Sequence, residues 1–316
     1  MAESLDSRAG LHRDPMTKKH TIVGLGELLW DLFPRGKQLG GAPANFAYIT
    51  SLLGDRGIPA SRLGHDALGH EAIVRLQELG IAVEFIQQDA AHPTGTVKVE
   101  VDDKGQPRFE ICENVAWDFL ESTPQWQKLA EQADAVCFGS LAQRSQQSRA
   151  TIRSFLSATR PDALRVFDVN LRQDFYDAEI LEGSMRRATI LKLNHEELPK
   201  IMRLLGHEHD DEESSAYRLL EAYDLKLVCV TRGSAGSLLV NRDASSTHPG
   251  FRVQVADTVG AGDAFTAALV HQYLRGASLD AMNEAANRIG SWVASQVGAM
   301  PLVRPGGLEQ ATATIC

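Results

Sequence analysis

Asp263 stands in the stretch DTVGAGDAF at 257–265, with Gly260 and Gly262 just before it and an apolar, helix-favouring run, AFTAALVHQYL, beginning just after it. Glycines at these spacings permit a tight turn and close approach of the backbone to a ligand. The first N–H groups of a helix starting here lack intrahelical partners and lie at the positive end of the macrodipole. Gly260, Ala261, Gly262 and Asp263 can therefore cradle developing negative charge. A carboxylate beside such a cradle would repel a phosphate that only had to be bound. It makes sense where it takes a proton from a hydroxyl attacking the phosphate. The same nine residues also fit an acid that merely stabilises a helix start, and taken alone they leave both readings open.

Other residues suited to chemistry sit where elements end. Asp31 lies inside the apolar segment Leu28 to Phe33, either as a turn acid or as an acceptor for polyol hydroxyls. Gly40-Gly41-Ala42-Pro43 leads into a helix expected from Ala44 to Leu53. Asn45, on its first turn, can bond locally or offer a donor and an acceptor to a ligand. Short apolar strands are expected at Thr21–Gly26, Ala135–Gly139, Leu164–Asp168, Ile190–Leu193 and Leu227–Thr231, separated mostly by helix-length segments. This alternation predicts a parallel α/β sheet with helices on both faces. In such sheets ligands lie beyond the carboxyl ends of the strands, where Asp168, Asn170, Arg172, Asn194, Glu197, Thr231 and Gly233 stand. Each also has a local explanation: turn formers at Asp168 and Asn170, a capping box between Asn194 and Glu197, a hairpin loop after Thr231. Thr94–Val101 alternates apolar and polar residues and is followed across a turn by Arg108–Cys112, a hairpin that does not merge with the parallel pattern. Gly236–Val240 reads as an antiparallel edge strand, and two closing helices are expected at Ala261–Tyr273 and about Leu279–Gln296.

The chain has 316 residues, 43% hydrophobic and 23% charged, enough for one large domain with a small appendage. A net charge of -9 argues against a general nucleic-acid or membrane-surface binder. No apolar run approaches the ~20 residues of a membrane span, and a cytoplasmic location is expected. Cys112, Cys137, Cys229 and Cys316 lack CxxC spacing and read as free thiols. Residues 1–19 are polar and aperiodic and are set apart as a flexible extension. The acidic stretch His207–Glu213 reads as a solvated loop and not as a metal site. Gly24-Leu25-Gly26 is not a dinucleotide fingerprint, because Leu29 occupies the third glycine position, and no GxxxxGK[ST] phosphate loop is present.

With GGAPANFA at 40–47 and DTVGAGDAF at 257–265 in order, and LWDLFP, HPTGTV, ENVAWDF, FDVNLR and LKLNHEEL between them, the chain resembles the ribokinase-like (PfkB) carbohydrate kinases, bacterial fructokinases above all, from about residue 20 to about 305. The resemblance implies a three-layer α/β/α sandwich with a mostly parallel sheet and a small β-sheet lid from strands at about 31–40 and 93–113, all within one kinase domain from residue 20 on. It implies an ATP-dependent transfer to a primary hydroxyl of a sugar, most closely D-fructose, with Asp263 as base. Asp31, Gly41, Asn45, Arg108, Phe109 and Arg172 would touch the sugar, with Gln143 and Arg144 both open as further contacts. Asn194, Thr231, Gly233, Gly236 and Asn287 would serve the nucleotide. Glu197 would organise Mg²⁺ through water, Asp257 and the carbonyl of Val259 would border a K⁺ site, and the lid would pair two copies into a homodimer. Val169 departs from the proline many relatives carry there. Kinases for another sugar, for the sugar acid 2-keto-3-deoxygluconate or for a nucleoside, and a sugar sensor without chemistry, are the rival readings.

Overall fold

The computed structural model describes residues 18–33, 36–101, 107–208, 210–303, 308 and 313, with the backbone only at 99–101 and 107–109. Residues 1–17 of the N-terminal stretch and Cys316 lie outside the described residues. Among those described, nine strands form one sheet in the order β13-β12-β11-β10-β9-β8-β1-β4-β5. They are β1 (Thr21–Leu25), β4 (Arg56–Gly64), β5 (Ile86–Asp89), β8 (Ala135–Phe138), β9 (Leu164–Asp168), β10 (Ile190–Asn194), β11 (Leu227–Thr231), β12 (Ser237–Val240) and β13 (Ser245–His248). All pairings are parallel except β11 with β12 and β12 with β13.

Both faces of the sheet are covered, and the two-residue side-chain period sorts the strands between them. Val23, Leu191, Val228 and Val230 enter one apolar cluster with α3 (Pro124–Gln132), α4 (Gln146–Ala158), α5 (Ala178–Met185), α6 (Glu197–Leu204) and α7 (Glu212–Ala222). Ile22, Ile190, Leu227 and Cys229 enter the other with α1 (Ala42–Leu52), α2 (Ala67–Glu78), α8 (Ala261–Tyr273) and α9 (Leu279–Ala294). The architecture is the expected three-layer sandwich.

The hairpin that would not merge with the parallel pattern is a second sheet. β2 (Leu29–Phe33), β3 (Gly36–Gly40), β6 (Gly95–Val101) and β7 (Pro107–Ile111) pair in the order β3-β2-β6-β7. Asp31 is itself on this sheet, opposite Gln38 and Val97. Three strands of the large sheet escape pattern reading: β4, β5 and β13. β4 carries Gly57 and Pro59, which read as breakers, yet it pairs with both β1 and β5. The expected edge strand β12 is covered by β13, whose sequence SSTH lacks any apolar signal. The acidic stretch after α6 has a local role, since Asp211 caps α7 by accepting from Ser214 N–H.

The N-terminal edge is bolted by Asp55, which accepts from both Nη atoms of Arg275, from the N–H of His20 and from Nδ1 of His271. Burial would raise its pKa, yet the bonds from His271 and Arg275 hold it well below the usual carboxylate range. A depressed carboxylate stabilises above its unfolded pKa, ~4, and loses that contribution as the pH falls. Asp55→Ala leaves Arg275 unpaired against α1 and α8. It is expected to cost about 3 kcal/mol at pH 7, with a gap to wild type in urea melts that narrows towards pH 3.

Candidate active site

Parallel pairing brings the carboxyl ends of β1, β8, β9, β10 and β11 to one edge of the sheet, and the N-terminus of α8 is set against that edge. Gly260 is the residue before α8 and takes φ 79°. A Cβ there would lie 2.3 Å from the Cβ of Ala299, so both the left-handed backbone and the close approach demand glycine. Asp263 falls in the first turn. Its Oδ2 accepts from Asn45 Nδ2 at 2.8 Å, which links α8 to α1 across 218 positions. Burial first, then the charge of Asp168, push the Asp263 pKa up to about 6; the bond from Asn45 and the cations Lys192 and Arg172 act against them.

Asp31, Gly41, Asn45, Arg172 and Asp263 come together. Burial pushes Asp31 up to about 6 with Arg172 opposing, and the same Arg172 charge acts on Asp263. Gly41 takes φ 107°, and a Cβ there would lie 2.5 Å from the carbonyl oxygen of Glu27. The side chains of Arg108 and Phe109, on β7, lie outside the described residues. Gln143 and Arg144, both open as sugar contacts, have partners within the protein. Gln143 Nε2 is spent on Gly139 O and Ser184 Oγ. Arg144 grips Asp118 with two nitrogens, donates to Cys112 O, and stacks between Trp117 and Phe175. It ties the chain leaving the small sheet to the large one.

On the other side of Asp263, Asn194 and Thr231 are partners across β10 and β11. Asn194 and Glu197 form the reciprocal box that their spacing allows: Asn194 Oδ1 accepts from the N–H of Glu196 and Glu197, while Glu197 Oε2 accepts from Asn194 N–H. Glu197 Oε1 accepts from Leu171 N–H. Both its oxygens thus hold the loops after β9 and β10. Among the described residues no group of three or more His, Cys, Asp or Glu is arranged to hold a metal ion. Gly233 and Gly236 flank a short turn, both with positive φ. Asn287 is buried, its amide nitrogen bonded to Ser237 Oγ and to Asn283, inside the α9–β12 contact. Asp257 accepts from Val259 N–H with one oxygen and from Gly298 N–H with the other, and a Cβ at Gly298 would lie 3.4 Å from Gln38 Oε1 of the small sheet.

Lys192, Thr266 and Glu27 stand at the centre and were not singled out from the sequence. Lys192 is buried beneath the α8 turn, its Nζ 2.9 Å from Asp168 Oδ1 and 3.1 Å from where a Cβ of Gly262 would stand. Asp168 Oδ2 in turn accepts from Thr266 Oγ1 at 2.9 Å. Burial works against the charge of Lys192, but Asp168, Glu197 and Asp263 outweigh it and raise its pKa above the ordinary value. The third is Glu27, 4% exposed. The signal for Lys192 was a charge in an otherwise apolar strand, ILKLN. For Glu27 it was an acid directly after the strand-ending glycine.

Comparison with known proteins accords with this geometry. The pattern of pfkB family carbohydrate kinases matches residues 17–304. A fructokinase of Escherichia coli is 31% identical over 260 residues, spanning 78% of this chain and 82% of that one. A sugar kinase of Pyrococcus horikoshii is 31% identical over 277 residues, 82% of this chain and 84% of that one. Its crystal structure in complex with ATP superposes with a TM-score of 0.79 over 92% of this chain and 99% of that chain. A Vibrio cholerae fructokinase with fructose, ADP and calcium bound shares the fold at 24% identity, with a TM-score of 0.73 over 91% and 96% of the two chains.

Proposed function

The chain belongs to the pfkB family of carbohydrate kinases and is a phosphotransferase acting on a sugar hydroxyl, and from that premise we propose that it transfers the γ-phosphoryl group of ATP to the 6-hydroxyl of D-fructose with Asp263 as general base. The observation that carries this is the recessed Asp263 in the first turn of α8, directly after the left-handed Gly260 and held by Asn45. A carboxylate with a pKa of about 6 is ionised at neutral pH yet basic enough to take a proton. As the sugar oxygen bonds to the γ-phosphorus, the bond from phosphorus to the β,γ-bridging oxygen breaks. The electron pair leaves with ADP, and the hydroxyl proton passes to Asp263. The N–H groups of Gly260, Gly262 and Asp263 face the charge spread over the transferring oxygens, that of Ala261 donating to Thr258 O, and Arg172 adds positive charge beside them.

The sugar lies between the small sheet and α1, with Asp31 as an acceptor and the second Nδ2 hydrogen of Asn45 as a donor to its hydroxyls, Gly41 as the backbone turn against which it rests, and Arg108 and Phe109 on the lid. The triphosphate lies on the other side of Asp263, beyond Asn194, Thr231, Gly233 and Gly236, with Asn287 at the base of the adenosine side. ATP as donor is supported by the P. horikoshii kinase solved in complex with it. Mg²⁺ arriving with the nucleotide supplies charge neutralisation to the phosphates when bound, and the loops that Glu197 holds would face it. Asp257 keeps a lone pair on each oxygen, which fits a K⁺ site shared with the Val259 carbonyl. The small sheet is the surface for pairing with a second copy. No described helix is long and apolar enough to cross a membrane, which accords with work in the cytoplasm.

Fructose is favoured over other acceptors by the E. coli fructokinase likeness. ADP release measured over a panel of fructose, other hexoses, ribose, 2-keto-3-deoxygluconate and adenosine, with ATP and Mg²⁺ and with or without K⁺, is expected to show the highest kcat/KM for fructose. A higher value for another acceptor overturns the choice of sugar. Thermal stabilisation by sugar without any ADP release would make the protein a sensor.

A further inference from the structure

Two acceptor oxygens lie buried beside Asp263 without a donor: Oε2 of Glu27 and Oδ1 of Asn45. Their residues are 4% and 3% exposed, so solvent does not serve them, and orphaned buried acceptors are rare because each forfeits its hydration. A carboxylate and an amide oxygen cannot satisfy one another. A carboxylic acid and an amide oxygen can, since the acid has an O–H to donate.

Both groups stand at the start of α1. Glu27 follows β1, and its carboxyl is drawn by the N–H of Ala42, the first residue of α1. Asn45 is three residues further along the same helical face, and helical side chains lean back towards the N-terminus. The amide nitrogen of Asn45 is already committed to Asp263 Oδ2, which turns its oxygen away from Asp263.

We infer that Glu27 is a positioning residue acting as a carboxylic acid, whose O–H donates to Asn45 Oδ1 and so locks the Asn45 amide with its Nδ2–H towards Asp263. The chain Glu27–Asn45–Asp263 then fixes one oxygen of the base and leaves the other for the sugar hydroxyl. Burial, above all, pushes Glu27 up to about 7, so that near neutral pH the protonated acid is a major form; Asp263 adds to this, while its own N–H, Arg172 and the Ala42 N–H oppose it. The charges facing Glu27 are Asp263 from α8 and Arg172 from the segment after β9, and Asp263 in turn faces Asp168 and Lys192. The inference rests on Asp263 as base.

Glu27→Gln retains a donor for Asn45 Oδ1 and Glu27→Ala removes it. Glu27→Ala is expected to lower kcat about tenfold with a smaller change in the sugar KM. The freed amide no longer donates to Asp263, so the acidic limb of kcat should move to higher pH, a shift that loss of packing alone would not produce. Glu27→Gln should keep most of the turnover that Glu27→Ala loses, and leave the limb in place. Independently of turnover, infrared spectra at neutral pH should carry a protonated-carboxyl band that Glu27→Gln lacks. Equal loss in both variants, full activity in Glu27→Ala, or absence of that band overturns the inference. Failure of the base assignment is separable, because Asp263→Asn would then turn over while the infrared band still reports on Glu27.

Discussion

Asp263→Asn is expected to be nearly inert and yet harder to unfold. The amide cannot take the hydroxyl proton, and general-base assistance is worth ~10²–10⁴-fold in rate, so kcat should fall by that range while ATP still binds. The stability gain follows from the sign of the shift. The folded pKa of about 6 lies above the unfolded carboxylate value, so the folded state binds more protons than the unfolded one between the two, and stability falls as pH rises through that window. Above pH 6 the wild-type protein carries this full cost, which an uncharged amide removes. Two pKa units correspond to ~3 kcal/mol. The carboxylate is only partly buried and water screens it, so a gain of about 1–2 kcal/mol is expected at pH 8, shrinking towards pH 4. Urea titrations at the two pH values read it directly. The same shift predicts that wild-type kcat declines as pH drops through about 6. Near-normal turnover in the variant would remove Asp263 from the chemistry.

Lys192→Met should damage both stability and chemistry. It strips Asp168 of its ion pair in a site with little access to water, and breaking one side of a buried pair typically costs about 3–5 kcal/mol. The raised pKa of Lys192 places this loss: a lysine elevated in the folded state contributes fully below its unfolded value, ~10, and loses the contribution only as pH rises through the folded one. At neutral pH the whole contribution is therefore at stake. Lys192 also lowers the proton affinity of Asp263, so its removal should move the acidic limb of kcat to higher pH. The double variant Lys192→Met with Asp168→Asn removes both charges and should recover part of the melting temperature and bring the limb back towards its wild-type position, since the charge of Asp168 raises the proton affinity of Asp263 and that of Lys192 lowers it. A limb that stays in place in Lys192→Met would show that the buried ammonium does not act on the base.

The local pieces of this protein were legible because each rests on short-range physics. Glycines around Asp263 mark a helix start whatever surrounds them, alternation marks the small sheet, and apolar runs between helices mark a parallel sheet whose strand ends gather polar groups. Asn194 with Glu197 could be read either as a capping box or as a nucleotide motif. The structure forms the box, which holds the loops any nucleotide would meet.

Tertiary structure alone decided what stands behind the base. The pairings Asn45–Asp263, Lys192–Asp168 and Thr266–Asp168 span 218, 24 and 98 positions, and no periodicity carries such information. Lys192 and Glu27 gained a place only when β10 was set beneath α8 and α1 was laid against the end of β1. The enclosure of Arg144 by Trp117, Phe175 and Asp118 is likewise tertiary. β4 was hidden by Gly57 and Pro59, since local propensity cannot anticipate that parallel pairing with β1 outweighs two breakers. The residues around 257–265 determined by themselves that an anion cradle stands beside a carboxylate. That this carboxylate has a pKa of about 6 was set by burial, by the charges of Asp168, Lys192 and Arg172 and by the bond from Asn45, because the energy of a charge depends on everything packed around it.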